Sequence, residues 1–139
     1  GGVAVFKGDE VVHMAPPASE VHALMERLMG WLKMSEVHPL IKSCVFHYEF
    51  EFIHPFADGN GRMARLLMNM LQFEFGLIPT KILNEDKEEY IKALVETREH
   101  EDLNIFREFM TSTMIKNLTH DIEAYRKSID DTSISGKKK

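Results

Sequence analysis

With Cys44 as the only cysteine in 139 residues, no internal disulfide can form. Its apolar neighbours read as the surroundings of a buried thiol, which suits a reducing compartment; the expected location is cytoplasmic. No apolar run approaches the roughly 18 residues needed to span a bilayer, and no signal peptide is visible. There is no basic excess either. The formal net charge is −5, which excludes a broad electrostatic footprint for nucleic acid. The one basic run, Lys137 to Lys139 after Ser135-Gly136, reads as a solvated tail. Internal repeats and long linkers are also missing. The balance of 44% hydrophobic to 28% charged residues is that of a single globular domain with one core, not of a disordered chain. The chain opens on Gly1-Gly2 without a Met and reads as a piece of something longer.

What is present is mostly helical periodicity. Val3 to Phe6 and Glu10 to Met14 are short Val-rich runs around the turn residues Lys7-Gly8-Asp9, the pattern of a hairpin, and Pro16-Pro17 ends it. Ser19 is the expected cap of a first helix carrying Val21, Leu24, Met25, Leu28 and Leu32. A second helix starts near Pro39 and must stop just before Pro55, because a residue preceding proline avoids the α region. A third runs from Asn60 or Gly61 to about Phe75, with Gly76 as its stop. Its Met63, Leu66, Leu67, Met68, Met70, Leu71 and Phe73 cover most of its circumference, which predicts a central, buried helix. A fourth follows Asp86, with Tyr90, Ile91, Leu94 and Val95 as its apolar stripe. The fifth spans about Leu103 to Ile129, with one stripe from Phe106 and Met110 through Leu118, Ile122 and Tyr125. The nine Met residues at these spacings are core filler. The expected fold is an all-α bundle with one short N-terminal β-hairpin.

The chemistry lies at the junction of the second and third helices, in His54 to Arg65, HPFADGNGRMAR. Gly59 and Gly61 flank Asn60 directly before a helix. Glycine permits backbone angles that turn successive N–H groups into one concavity, and the helix N-terminus adds unpaired N–H groups and a positive dipole end. Arg62 and Arg65 lie three apart on one face of the first turns, where cations oppose the helix dipole at a cost of up to about 1 kcal/mol each. One such Arg would pair with a carboxylate elsewhere in the bundle. Two, beside a Gly-Asn-Gly nest, point to forked recognition of phosphates. Asp58 is either a helix cap or, with a polyphosphate ligand present, the carboxylate for Mg2+. His54, at the end of the preceding helix, is either a capping residue or a general base at the rim of the phosphate site. Phe56 is expected to point inward and pin the loop. His47, Glu51 and His54 share a helix face and form a formal zinc alternative, but their spacing matches no standard pattern and zinc explains neither the arginines nor the glycines.

This segment resembles the signature of the Fic family (Fic/DOC superfamily) at every fixed position: His54, Phe56, Asp58, Gly59, Asn60, Gly61, Arg62 and Arg65. The likeness extends to the hairpin and HMAPPASEVHALM, to HPLIKSCVFHYEFEFIHPF, and to the helices behind the motif, roughly Val3 to Tyr125. The resemblance implies a Fic-type bundle over residues 1–128, with residues 1–15 as a flap that aligns an extended target segment and residues 129–139 as a flexible tail. It implies an adenylyltransferase that moves AMP from ATP to a Tyr, Ser or Thr hydroxyl of a target protein (AMPylation) and releases pyrophosphate. His54 would be the catalytic base, Asp58 the Mg2+ ligand, and Gly59, Asn60, Gly61, Arg62 and Arg65 the nucleotide phosphate site, Arg65 facing the γ-phosphate. No nucleic acid or membrane partner is implied, and the oligomeric state is left open.

Alternatives remain within the same fold. A transferase could use another nucleotide or phosphoryl donor, since the motif reads phosphates rather than the base. Kinase-like relatives carry Lys at the second Gly, and Gly61 is intact here. A nucleotide-binding regulatory module would have no need of His54. Many Fic proteins also carry an inhibitory helix of the form Ser/Thr, three residues, Glu, then Gly or Asn, whose Glu pairs with the second motif arginine. The nearest match, Thr119 to Glu123, is followed by Ala124 and falls inside the long fifth helix. The expectation is a chain that is not self-inhibited, with any inhibitory segment lying upstream or in trans.

Overall fold

The computed structural model describes the backbone of residues 4–7 and 10–137 and the side chains of residues 15–132. Two short strands, β1 (Ala4–Lys7) and β2 (Glu10–Met14), pair antiparallel. Val5 stands opposite His13 and Phe6 opposite Val11, so the register slips between them. Val3, Gly8 and Asp9, assigned above to the first strand and its turn, lie outside the described residues.

The body of the fold is all-α. Helix α1 (Ala18–Met34) begins two residues earlier than a Ser19 cap would set it. Pro17 occupies the N-cap, and its carbonyl accepts the Glu20 N–H at 2.9 Å. Proline fixes the entry angle there and needs no side-chain cap. Helix α2 (Pro39–Ile53) is capped by His38, whose Nδ1 accepts the Leu40 N–H at 3.1 Å. Helix α3 (Asn60–Glu74) is followed by a turn of 3-10 helix at Asn84–Asp86, then α4 (Lys87–His100) and α5 (Leu103–Lys137).

The central helix is α2, not α3. One core cluster joins Cys44 of α2 to Met68, Tyr90, Ala93, Phe106 and Met110; the other joins Phe46, Phe50 and Ile53 of α2 to Leu28 and Ala64. A helix apolar on both faces is buried on both. On α3 the buried line is Asn60, Ala64, Met68 and Gln72, every fourth residue, while Leu66, Met70 and Phe73 face outward, Phe73 at 76% exposure. Small and polar groups win the inner face because they serve a close helix approach and a hydrogen-bond network. Gln72 receives the Thr80 N–H at 2.8 Å and donates to Ser43 Oγ at 3.3 Å.

Helix α5 also departs from a single stripe ending near Ile129. Phe106 and Met110 are buried, Leu118, Ile122 and Tyr125 are exposed, and the helix continues to Lys137 through the segment expected as a tail. Ser, Asp and Thr cost only tenths of a kcal/mol each in an exposed helix, so nothing in the sequence stops it. Among the described residues no helix is long and apolar enough to cross a membrane. Cys44 is buried, and burial pushes its thiol up to about 11, which makes it an inert core group.

His47 is the polar centre of this core. It is fully buried, hydrogen-bonded to the Tyr90 hydroxyl, and its ring stacks on Phe106 with centroids 5.5 Å apart. Burial lowers its pKa from 6.5 to about 4, the backbone of Ala64 working in the opposite direction. The unfolded chain therefore binds a proton between those values that the folded chain refuses, so stability is lost as pH falls through that window. Between pH 7.5 and 5 this amounts to about 2 kcal/mol. Urea titrations should show that loss in the wild type and a clearly flatter profile in His47→Phe; an identical slope in both would contradict the assignment.

Candidate active site

The chain leaves α2 at His54, which holds the left-handed conformation, φ 52 and ψ 59, while its N–H still donates to the Phe50 carbonyl at 3.0 Å. A non-glycine residue there is strained, and Pro55 adds its own bar against continuing the helix. The turn is therefore sharp, and it leaves the imidazole at the mouth of a cavity of about 370 Å³. His54, Ala57, Asp58, Gly59, Asn60, Gly61, Arg62 and Arg65 line that cavity. Burial lowers the His54 pKa below the ordinary 6.5, the backbone of Glu51 opposing it. The imidazole is thus neutral at physiological pH, the state a proton acceptor needs.

The loop is pinned by Asn60, not by Phe56. Asn60 is 2% exposed, and both ends of its amide meet one residue: Oδ1 accepts the Phe56 N–H at 2.9 Å and Nδ2 donates to the Phe56 carbonyl at 2.7 Å. This consumes the side chain, so what Asn60 can offer an anion is its backbone N–H. The Phe56 ring, expected inside, is 49% exposed at 6.3 Å from Phe50. Its backbone is what the loop needs.

The two glycines serve different ends. Gly59 has φ +78, a left-handed residue immediately before the helix. At Gly61 a Cβ would lie 3.3 Å from Arg65 Nη1 and 3.4 Å from Glu51 Oε1, so its smallness lets those groups close in behind the loop. Arg62 is exposed and Arg65 half-buried, both on the cavity wall. Asp58 is exposed, with Oδ1 accepting the Gly59 N–H at 2.8 Å. It is a lone carboxylate; among the described residues no three His, Cys, Asp or Glu side chains gather to hold a metal. One carboxylate suits Mg2+ carried in on substrate phosphates, the usual mode for that ion, and does not make a closed protein site. The zinc alternative fails on geometry, because His47 faces the core while His54 faces the cavity.

Behind the cavity wall stands a set of buried polar groups. Burial raises the Glu51 carboxyl, and the positive charge of Arg65 pulls the other way. Burial also raises the Tyr90 phenol, Glu51 reinforcing it and a hydrogen bond from Arg65 countering it. Tyr90 bridges onward to His47. The sequence reading left Tyr90 as an apolar stripe residue and Glu51 as a zinc possibility. The usable signal was a carboxylate in a largely apolar stretch of helix, Glu51 two residues after Glu49, since a half-buried arginine needs a counter-charge.

The fold and site define an all-α bundle with a glycine-flanked loop between two packed helices and a histidine lining the same cavity. The profile of the Fic/DOC family matches residues 4–72. A probable protein adenylyltransferase of Aquifex aeolicus is 40% identical over 98 residues, covering 67% of this chain and 30% of its own length. The protein adenylyltransferase Fic of Culex quinquefasciatus is 38% identical over 85 residues, 59% of this chain and 17% of its own. Among solved structures, a Fic family protein from Desulfovibrio desulfuricans G20 superposes with a TM-score of 0.81 at 40% identity, over 89% of this chain and 40% of that one. A Fic domain containing signaling protein from Bacteroides thetaiotaomicron gives 0.72 at 28% identity, over 88% and 52%. The chain belongs to the Fic/DOC family. It spans about a third or less of the length of these two sequence relatives.

Asn60→Ala leaves the Phe56 N–H and carbonyl without their partner and should cost about 2 kcal/mol or more in urea unfolding. Asp58→Ala, at an exposed position, should stay within about 0.5 kcal/mol of wild type. Equal losses in the two variants would remove Asn60 from its structural role.

Proposed function

We propose that the chain is the catalytic core of a protein adenylyltransferase, transferring AMP from ATP to a hydroxyl side chain of a target protein. The observation that carries this reading is the convergence of His54, Asp58, Gly59, Asn60, Gly61, Arg62 and Arg65 on one cavity. The backbone N–H groups of Asn60 and Gly61 at the start of α3 donate to phosphate oxygens, and Gly59, whose own N–H is held by Asp58, supplies the left-handed turn that aims them. Arg62 and Arg65 neutralise the distal phosphates, Arg65 at the γ position. Asp58 would be the protein ligand of Mg2+, and the ion would supply neutralisation of part of the phosphate charge. His54 accepts the proton of the target Tyr, Ser or Thr hydroxyl as its oxygen attacks the α-phosphorus. The new bond is from that oxygen to phosphorus, and the bond from the α-phosphorus to the bridging oxygen breaks. The electron pair leaves with pyrophosphate. Positioning and charge do most of the catalysis, as in other transfers at phosphorus.

The strand pair β1–β2 is proposed as the flap. A two-stranded ribbon has unpaired edges, and an extended target segment can add to one as a further strand. The site is proposed to work without internal inhibition, because Thr119 and Glu123 lie on the exposed part of α5. A cytoplasmic setting is proposed with it, in keeping with a chain whose one cysteine, Cys44, is a buried core residue.

ATP labelled at the α-phosphate should carry label onto protein with Mg2+ present, and γ-labelled ATP should not. His54→Ala should slow the transfer by about 10² to 10⁴. Transfer from the γ position would refute the reading in favour of a kinase-like reaction.

The pH profile supplies a second check. Because the His54 pKa lies below 6.5, the acid limb of kcat/KM should have its midpoint below that value, with activity lost as the base protonates. A limb centred above 6.5 would count against His54 as the base.

A further inference from the structure

From Thr119 to Thr132 every residue of α5 is exposed, so about 20 Å of this helix extends past the bundle. Such a segment draws no stability from packing, and isolated helices of this length are marginal in water. Yet it is not polar all round. Ile115, Leu118, Ile122, Tyr125 and Ile129 recur at spacings of three and four, all of them solvent-exposed, Ile122 at 51% and Tyr125 at 67%. At 100° per residue this stripe lies about 130°, more than a third of a turn, away from the line of Phe106, Met110 and Thr113, which faces the core.

The stripe follows a heptad with Ile115, Ile122 and Ile129 at a and Leu118 and Tyr125 at d. A β-branched residue at a with Leu at d favours a parallel pair of strands over trimers or tetramers. The flanks agree. Asp121 falls at g on one side of the stripe and Arg126 at e on the other. In a parallel two-stranded coil each g residue meets the e residue five positions on in its partner, which brings Asp121 of each copy to Arg126 of the other. An antiparallel pair would set like flank against like flank and lose both contacts.

We propose that this face of α5 is the dimerisation surface for a second copy of the chain, packed parallel about a two-fold axis. The closed symmetry makes the patch self-complementary. Several features favour this occupant over a lipid surface. Asp121, Glu123, Asp130 and Asp131 on the same segment repel anionic headgroups. The cost of starting the helix is already met, because α5 is anchored in the bundle by Phe106 and Met110. The inference is independent of the reading of the active site.

Sedimentation equilibrium of the full chain over micromolar to millimolar concentrations tests it. The expected result is a reversible monomer–dimer equilibrium. The double variant Ile122→Asp/Tyr125→Asp, at positions exposed in the monomer, should raise Kd by at least tenfold, with an unfolding midpoint equal to wild type when both are measured at concentrations where they are monomeric. Asp121→Arg and Arg126→Asp should each weaken the dimer several-fold, and the two together should return Kd to within about twofold of wild type. Phe73→Glu, on the outward face of α3, should have no effect. Monomer at every concentration overturns the proposal and assigns the stripe to a different partner. So does a dimer that survives Ile122→Asp/Tyr125→Asp, one that Phe73→Glu abolishes, or a charge swap that fails to restore association.

Discussion

The site depends on one constraint, the double hydrogen bond between the buried amide of Asn60 and the backbone of Phe56. It ties the first residue of α3 to the second residue beyond the His54 turn and so fixes how two helices meet. Aspartate would keep the acceptor and lose the donor; glutamine would carry both groups one methylene too far. With the loop held, the glycines on either side can aim their N–H groups without a side chain in the way, and His54 is placed by the chain's exit from α2.

A second constraint works from behind. Arg65 is half-buried on the cavity wall, and a half-buried guanidinium needs electrostatic company. Glu51, Tyr90 and His47 supply it, running from the cavity into the aromatic centre of the bundle. The strain at His54, the buried carboxyl of Glu51 and the buried imidazole of His47 each cost stability. The hydrophobic clusters on both faces of α2 offset those costs, so the central helix can carry His47 and Glu51 and still end in the strained turn at His54.

The helices and the site loop were legible in the sequence because they rest on local signals: proline and glycine punctuation, apolar periodicity, and a dense run of special residue types from His54 to Arg65. What escaped was decided by tertiary packing. Periodicity counts apolar residues but does not rank faces, so the crowded surface of α3 suggested a central helix while Ala64, Met68 and Gln72 took the inner line. The same blindness merged two faces of α5 into one stripe. Phe56 was assigned the role that its own backbone and Asn60 share, since an apolar residue between polar ones carries no mark of where it points. Glu51 carried only the mark of a carboxylate in a largely apolar helix, and Tyr90 none, of their service to Arg65, because that relation joins α2, α3 and α4.

The central claim is a geometric one, that the loop between α2 and α3 holds a triphosphate with its α-phosphorus toward His54. A crystal structure of His54→Ala with Mg2+ and a non-hydrolysable ATP analogue measures it directly. The account predicts the γ-phosphate on Arg65, phosphate oxygens on the N–H groups of Asn60 and Gly61, and the α-phosphorus facing the vacated side-chain position of residue 54. A triphosphate bound in the opposite direction, with its γ-phosphorus facing that position, or bound away from the loop, would contradict it.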